Sequence, residues 1–254
     1  MIYGLYLSAA GVMTSSYRQD VISNNLANVE TIGFRRDVPT FRQRLTAAQQ
    51  NPADSQHTDA LLEQIGGGTF ADPTSIDLAS GDLKTTGRQL DAAIIGRGFF
   101  TVAGPDGQPS LTRDGRFQMD RTGRMTLSNN QASPVLDNQG NPIVLDPTEP
   151  VLISSTGAVQ QPGRQPIQLG LVDVSNPQLL RKQGDSLLTV TDPTTVAPAS
   201  PTIATGTLEQ SNVDAPSELV ALMNAQRDLQ ANVNMIETQD AMLDKLVNDA
   251  GKIS

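Results

Sequence analysis

Residue types that could do chemistry are sparse in this chain. His57 is the only histidine and lies in a polar stretch. A Ser-His-Asp relay would have to run through it, and no strand-to-helix nucleophile elbow accompanies it. Its expected role is a solvated loop side chain. Gly66-Gly67-Gly68 has the composition of a phosphate cradle, but no Lys-Ser/Thr pair and no helix start follow. Gly96-x-Gly98 reads as a tight turn or bulge between strands. Zero Cys removes disulfides, thiolate metal sites and cysteine nucleophiles together. Asp and Glu are plentiful but scattered, which leaves carboxylate-based hydrolysis open without assigning it to any residue. The expectation is a protein that is not an enzyme, with no catalytic, metal or cofactor-binding residues and no cofactor.

The densest polar cluster beside an apolar stripe is Ser23-Asn24-Asn25-Leu26-Ala27-Asn28-Val29, followed by Thr31, Gly33 and Phe34. Short amide and hydroxyl side chains serve helix ends and turns by bonding nearby backbone. They also serve as polar contacts between packed helices, where a buried amide is favourable only when fully paired. Ile22, Leu26 and Val29 would anchor the apolar side of such a contact. Asn24, Asn25 and Asn28 are therefore expected to mix both roles.

Contacts of that kind need helices to carry them. Leu222, Leu229, Ile236 and Leu243 recur every seven residues, with Ala250 continuing the series. Leu219, Gln226, Val233, Asp240 and Val247 each stand three residues ahead of a member of that series. The 3-4 spacing is that of a coiled-coil seam. Asp214 and Pro216 are start signals, Glu218 sits where the helix dipole favours a carboxylate, and Gly251 can end the helix. Burying each seam Leu or Ile would contribute roughly 1.5–3 kcal/mol, which a lone helix cannot collect. The expected partner is the N-terminal segment 2–29, which lacks Pro. Leu5, Ala9, Val12 and Ser16 are spaced as one face of it, and Ile22, Leu26 and Val29 as another. Residues 1–44 carry five Arg against Asp20, Glu30 and Asp37, a net of +2, whereas residues 206–254 carry eight carboxylates against Arg227, Lys245 and Lys252, a net of −5. Opposite signs favour the two ends meeting, although surface pairs are worth little individually. Both ends are expected to be partly disordered in the monomer and to order on assembly.

Composition bounds the remainder. The 254 residues, 18% charged and 37% hydrophobic, suit one large or two modest soluble domains with a light core. A pI near 4.5 and the lack of a basic run argue against nucleic acid as the main partner. No stretch approaches the ~18–20 apolar residues that span a bilayer, so no membrane insertion is expected. The opening Met1-Ile2-Tyr3-Gly4-Leu5-Tyr6-Leu7 lacks the basic n-region of a cleaved signal, so any export is expected to proceed without one.

The middle alternates short apolar runs with turn signals. Ala93-Ile94-Ile95 and Phe99-Phe100-Thr101-Val102 read as strands, and Pro105-Asp106-Gly107, Asp114-Gly115 and Thr122-Gly123 as consecutive turns. Further strands are expected at 142–145, 151–153, 167–172 and 186–190, in a sandwich-like or barrel-like domain. Residues 191–205, with Pro193, Pro198 and Pro201, read as a linker. The fold class is therefore α+β, with N- and C-terminal helices forming a coiled-coil domain and a central, mainly antiparallel β domain inserted between them. The expected boundaries are 1–35 and 212–254 for the terminal helical domain, 36–85 and 191–211 for connectors, and 86–190 for the β-rich outer domain.

Ser23-Asn24-Asn25-Leu26-Ala27-Asn28-Val29-x-Thr31-x-Gly33-Phe34-Arg35 resembles the N-terminal motif of the bacterial flagellar basal-body rod and hook protein family. The likeness continues at Leu90-Asp91-x-Ala93-Ile94-x-Gly96-x-Gly98-Phe99-Phe100 and at Thr112-Arg113-Asp114-Gly115-x-Phe117. It returns at Gly206-x-Leu208-Glu209-x-Ser211-Asn212-Val213-Asp214, Gln226-Arg227, Ala231-Asn232 and Asp240-x-Met242-Leu243. The resemblance implies a structural subunit of the axial rod in the periplasm, exported by the flagellar type III apparatus and polymerising with itself and with other rod and hook subunits. From the faces, the Asn cluster and the heptad seam above, the expected helix-packing and assembly residues are Leu5, Val12, Ile22, Asn24, Asn25, Leu26, Asn28, Val29, Leu219, Leu222, Leu229, Val233, Ile236, Leu243 and Val247. Pro134-Val135-Leu136-Asp137-x-x-Gly140-x-Pro142-Ile143 and Leu171-Val172-x-Val174-x-Asn176-Pro177 look more like the proximal rod type, which is the expected position. Met1-Ile2 and Asp20-Val21-Ile22-Ser23 look more like the distal type. From another class, a secreted cell-wall or glycan-binding module remains the alternative, and it would need an exposed aromatic platform.

Overall fold

The computed structural model describes residues 2–45, 68–184 and 186–250. His57, Gly66, Gly67 and Gly251 lie outside the described residues. The chain divides into two compact units, one of residues 1–26, 37–75 and 214–254 and the other of residues 27–36 and 76–213.

The terminal unit is built from two long helices and a strand pair. Helix α1 spans Ile2–Ala27 and helix α2 spans Ala215–Ala250. Asp214 starts α2: its Oδ2 accepts the Ser217 amide at 3.2 Å and also the Ser217 hydroxyl, leaving one fewer orphan donor in the first turn. Glu218 stands in that turn. The helices run antiparallel, because Gly4 abuts Gln239 while Gly11 abuts Asn232. On α1, Gly4, Ser8, Gly11 and Ser15 share a face, and Ser8 and Ser15 are buried. Strands β1 (Asp37–Gln43) and β2 (Thr69–Ile76) pair in a two-stranded sheet. Tyr17 ties α1 to them, its hydroxyl donating to Asp72 O at 3.0 Å and its ring meeting Phe41 edge-on at 6.2 Å.

The second unit is β-rich. Its strands are β3 (Leu83–Thr85), β4 (Ala92–Ile95), β5 (Phe99–Ala103), β6 (Pro109–Thr112), β7 (Phe117–Met119), β8 (Met125–Leu127), β9 (Leu152–Ile153) and β10 (Ala158–Gln160). They continue as β11 (Ile167–Gln168), β12 (Leu171–Val174), β13 (Leu180–Gly184), β14 (Leu187–Val190), β15 (Val196–Pro198), β16 (Thr202–Thr205) and β17 (Thr207–Glu209). The largest sheet has the order β13-β14-β6-β5-β12-β15, and every described pairing in this unit is antiparallel. Alternation along β5 sends Phe100 and Val102 into the main core with Phe117, Met125, Leu127, Val135, Ile143 and Leu169, while Phe99 joins a second cluster with Leu111, Val174, Leu180 and Leu188. Phe100 and Phe117 meet edge-on at 5.1 Å.

Three stretches differ from expectation. Residues 142–145 form isolated bridges, Arg124 with Val144 and Leu136 with Pro142, because Pro142 supplies no ladder donor. The run 167–172 splits into β11 and β12 at Gly170, whose amide bonds Leu136 O at 2.9 Å and whose carbonyl accepts Thr101 N at 2.9 Å. The Pro-rich 191–205 holds β15 and β16 where an irregular link is expected. Pro198 is tolerated because β15 is the edge of its sheet, and β16 pairs with β4 from Thr202–Ile95 to Thr205–Ala92.

Candidate functional site

In the β-rich unit, three distant motif blocks converge on one carboxylate. Glu209, in the short strand β17, is fully buried. Arg35, from the segment after α1, donates Nη2 to Glu209 Oε1 at 2.8 Å, and Arg113 donates Nη1 to Glu209 Oε2 at 2.9 Å. The two guanidiniums are only 2% and 3% exposed. Further hydrogen bonds offset the cost of burying such an ion cluster, while the Nε atoms of Arg35 and Arg113 stand buried without a partner among the described residues. Gly81 N adds a bond to Glu209 Oε1 at 3.0 Å, Arg35 Nη1 donates to Ala79 O at 2.5 Å, and Arg113 Nη2 donates to Gly96 O at 2.6 Å. Arg113 also lies over the Phe99 ring at 5.3 Å. Burial pushes the Arg113 guanidinium below its ordinary pKa, and the Glu209 carboxylate opposes that shift. The hydrogen bond to Asp114 raises the Arg116 guanidinium.

Backbone geometry closes the same junction. Gly33 N donates to Glu209 O at 2.8 Å, and Gly33 has a φ of 67°, in the left-handed region that favours glycine. A Cβ there would stand 2.5 Å from Arg113 C and Asp114 N. Lys182 covers the outside, donating Nζ to Arg35 O at 2.6 Å and lying 3.7 Å from the centre of the Phe34 ring. Asn212 accepts Arg36 N on Oδ1 at 2.7 Å and donates Nδ2 to Asp77 O at 3.1 Å and Ala79 O at 3.0 Å.

In the terminal unit, the first heptad series, Leu222, Leu229, Ile236 and Leu243, is half-buried. Ala225 is buried, and Asn232 and Gln239 stand with it against the small residues of α1. Leu219 and Val247 of the second series are 47% and 70% exposed, and Val233 is half-buried. On α1, Ile22 is buried, Leu5, Val12 and Leu26 are half-buried, and Asn24 is exposed. Asn25 is buried with both amide atoms bonded: Oδ1 accepts Asp37 N and Nδ2 donates to Asp37 O, both at 2.9 Å. Asn28 and Val29 belong to the other unit, where Asn28 Oδ1 accepts the Thr31 hydroxyl at 3.1 Å.

Arg35, Arg113, Glu209 and Asn212 carry the junction, yet none stands among the residues expected from the helix pattern. A lone carboxylate inside the strand Thr207–Glu209 is the one local sign of it. Among the described residues, no helix is long and apolar enough to cross a membrane.

Three family profiles match the chain in order. They are the flagella basal body rod protein over residues 5–35, the flagellar hook protein FlgE/F/G D1 domain over 93–161, and the flagellar basal body rod FlgEFG protein C-terminal over 204–249. The chain is 32% identical to the flagellar basal-body rod protein FlgG of Bacillus subtilis, covering 98% of this chain and 99% of that one. It is also 32% identical to the FlgG protein of Borreliella burgdorferi (96% and 97% covered) and 30% identical to the FlgF protein of Rhizobium meliloti (98% of each). With its motif blocks matched in order and its relatives aligned end to end, the chain belongs to the flagellar basal-body rod protein family.

Proposed function

We propose that this protein is a structural subunit of the flagellar rod, which polymerises through its terminal helices into the axial shaft that transmits torque. The observation that carries the reading is the end-to-end likeness to rod proteins. Apolar side chains left on both helices support it: Met13, Leu219, Met223, Met235, Met242 and Val247 are each at least half exposed or close to it, and assembly would cover them. In the assembled shaft the heptad seam of α2 packs in coiled-coil fashion, with Asn24, Asn28, Leu219 and Val247 among the contact residues. Repeated heterologous contacts of one chain with the next yield an open helical polymer. The partners are copies of this chain and other rod and hook subunits, reached by way of the flagellar type III export apparatus. Torque then passes through packed interfaces, and no bond is made or broken.

Removing the gene from its host tests this. Electron micrographs of membrane remnants are expected to lose complete rods and hooks, and returning the gene restores them. Complete rods and hooks in its absence would overturn the reading.

A further inference from the structure

The terminal unit leaves two surfaces of complementary character, a notch beside α1 and an exposed edge of α2. One side of α1, through Gly4 and Gly11, is occupied by α2. On the other side α1 and β2 enclose an open apolar notch of about 250 Å³, lined by Tyr6, Ala10, Met13, Thr69 and Phe70. Its walls are unfilled: Tyr6 and Phe70 are each 43% exposed and Met13 is 75% exposed. Arg44 stands at the rim, 5.8 Å from the centres of both aromatic rings, and donates to the Tyr6 hydroxyl at 2.6 Å. The notch is thus apolar with a cationic lip.

Helix α2 carries the opposite character on its outer edge. Val233, Glu237, Asp240, Asp244 and Val247 recur at helical spacing along one edge. Glu237, Asp240, Asp244 and Val247 are all exposed, and the three carboxylates make no ion pair among the described residues. This edge is apolar at intervals and acidic between them. Because α1 lies between α2 and the notch, a chain does not fill its own notch with this edge.

We propose that the notch receives the outer edge of α2 from a second copy of this chain, with Val247 against Tyr6 and Phe70 and the carboxylates of Asp240 and Asp244 facing Arg44. Charge complementarity selects the occupant: an arginine lip meets an acidic helix edge. The two surfaces are different patches, so the contact is heterologous and repeats without closing. The inference rests on the rod-subunit reading and names the surfaces that reading leaves unspecified.

The absence of Cys in the chain makes the test direct. Two single variants, Thr69→Cys and Val247→Cys, are expressed together in a strain lacking the native protein, and purified hook–basal bodies are oxidised. A disulfide dimer that needs both variants is expected. Asp244→Arg is expected to lower incorporation about five-fold, the scale of one exposed charge contact, and Arg44→Asp in the same chain to restore it. Rods that contain both Cys variants without that dimer overturn this docking and leave the rod reading standing. Basal bodies that contain neither variant, nor the native protein in a control strain, overturn both.

Discussion

Glu209 and Arg35 stand 174 positions apart in the chain and meet at 2.8 Å, with side chains 0% and 2% exposed. The carboxylate holds a second guanidinium, Arg113, at 2.9 Å, so removing its charge leaves two buried cations facing each other. Glu209→Gln is expected to cost about 3–5 kcal/mol of stability in urea unfolding. Replacing the trio together by Met, Met and Leu is expected to recover much of that loss, because desolvation of the charges disappears with them. A Glu209→Gln variant within about 1 kcal/mol of the parent would show that the cluster does not hold the junction.

Gly33 gives a steric version of the same test. Gly33→Ala combines a left-handed backbone with a Cβ 2.5 Å from backbone atoms of Arg113 and Asp114. Gly140 also has positive φ, at 84°, but a Cβ there meets nothing within 4 Å. Gly140→Ala is expected to cost about 1–2 kcal/mol and Gly33→Ala about 3 kcal/mol or more. Equal losses in thermal or urea unfolding would mean that strain alone decides both.

Three surface turns repeat one device. Asp120, Asp146 and Asp192 each accept a hydrogen bond from the Thr two residues later, and each carboxyl is held below its ordinary pKa of 3.8 chiefly by that hydroxyl. Thr122 leads at Asp120, with the Arg124 amide and guanidinium adding to it. A folded-state pKa below the unfolded one gives stability that is present above the unfolded pKa and lost as pH falls through the folded one. Unfolding midpoints are therefore expected to fall below pH ~4, with a shallower acid limb in Asp120→Asn. An unchanged slope in that variant would remove Asp120 from the account.

The heptad face gives an assembly prediction. Leu229→Asp and Ile236→Asp place a charge on the half-buried side of α2, outside the β-rich unit. Each is expected to block incorporation into basal bodies while residues 76–213 keep their hydrogen-exchange protection. In dilute monomer, both helices are expected to exchange faster than the β core, because much of their apolar surface waits for neighbours. Normal incorporation of both variants would mean that this face is not needed for assembly.

Much of this was legible in the residues because the signals were local. The alternation of Phe99-Phe100-Thr101-Val102 and the Gly-bearing turns marked β5 and its hairpin, and Asp214 with Glu218 marked the start of α2. The partner of Glu209 was not legible, since nothing local links a carboxylate to an arginine so far away in the chain. The second seam series differs for a physical reason. Gly4 and Gly11 leave room on α1, so Asn232 and Gln239 pack inward while Leu219 and Val247 stay outside. A close contact between helices is set by side-chain size there, which a count of apolar residues does not register. Strand β15 was hidden by Pro198, which an edge strand accepts.

The most direct measurement of the central claim is antibody–gold labelling of purified hook–basal bodies with antibody raised against residues 90–190, read by electron microscopy. Gold confined to the rod is the predicted result, and its distance from the hook tests the proximal position that Pro134–Ile143 and Leu171–Pro177 suggest. Rods accessible to antibody yet free of gold would contradict the account and return the chain to the class of secreted wall-binding modules.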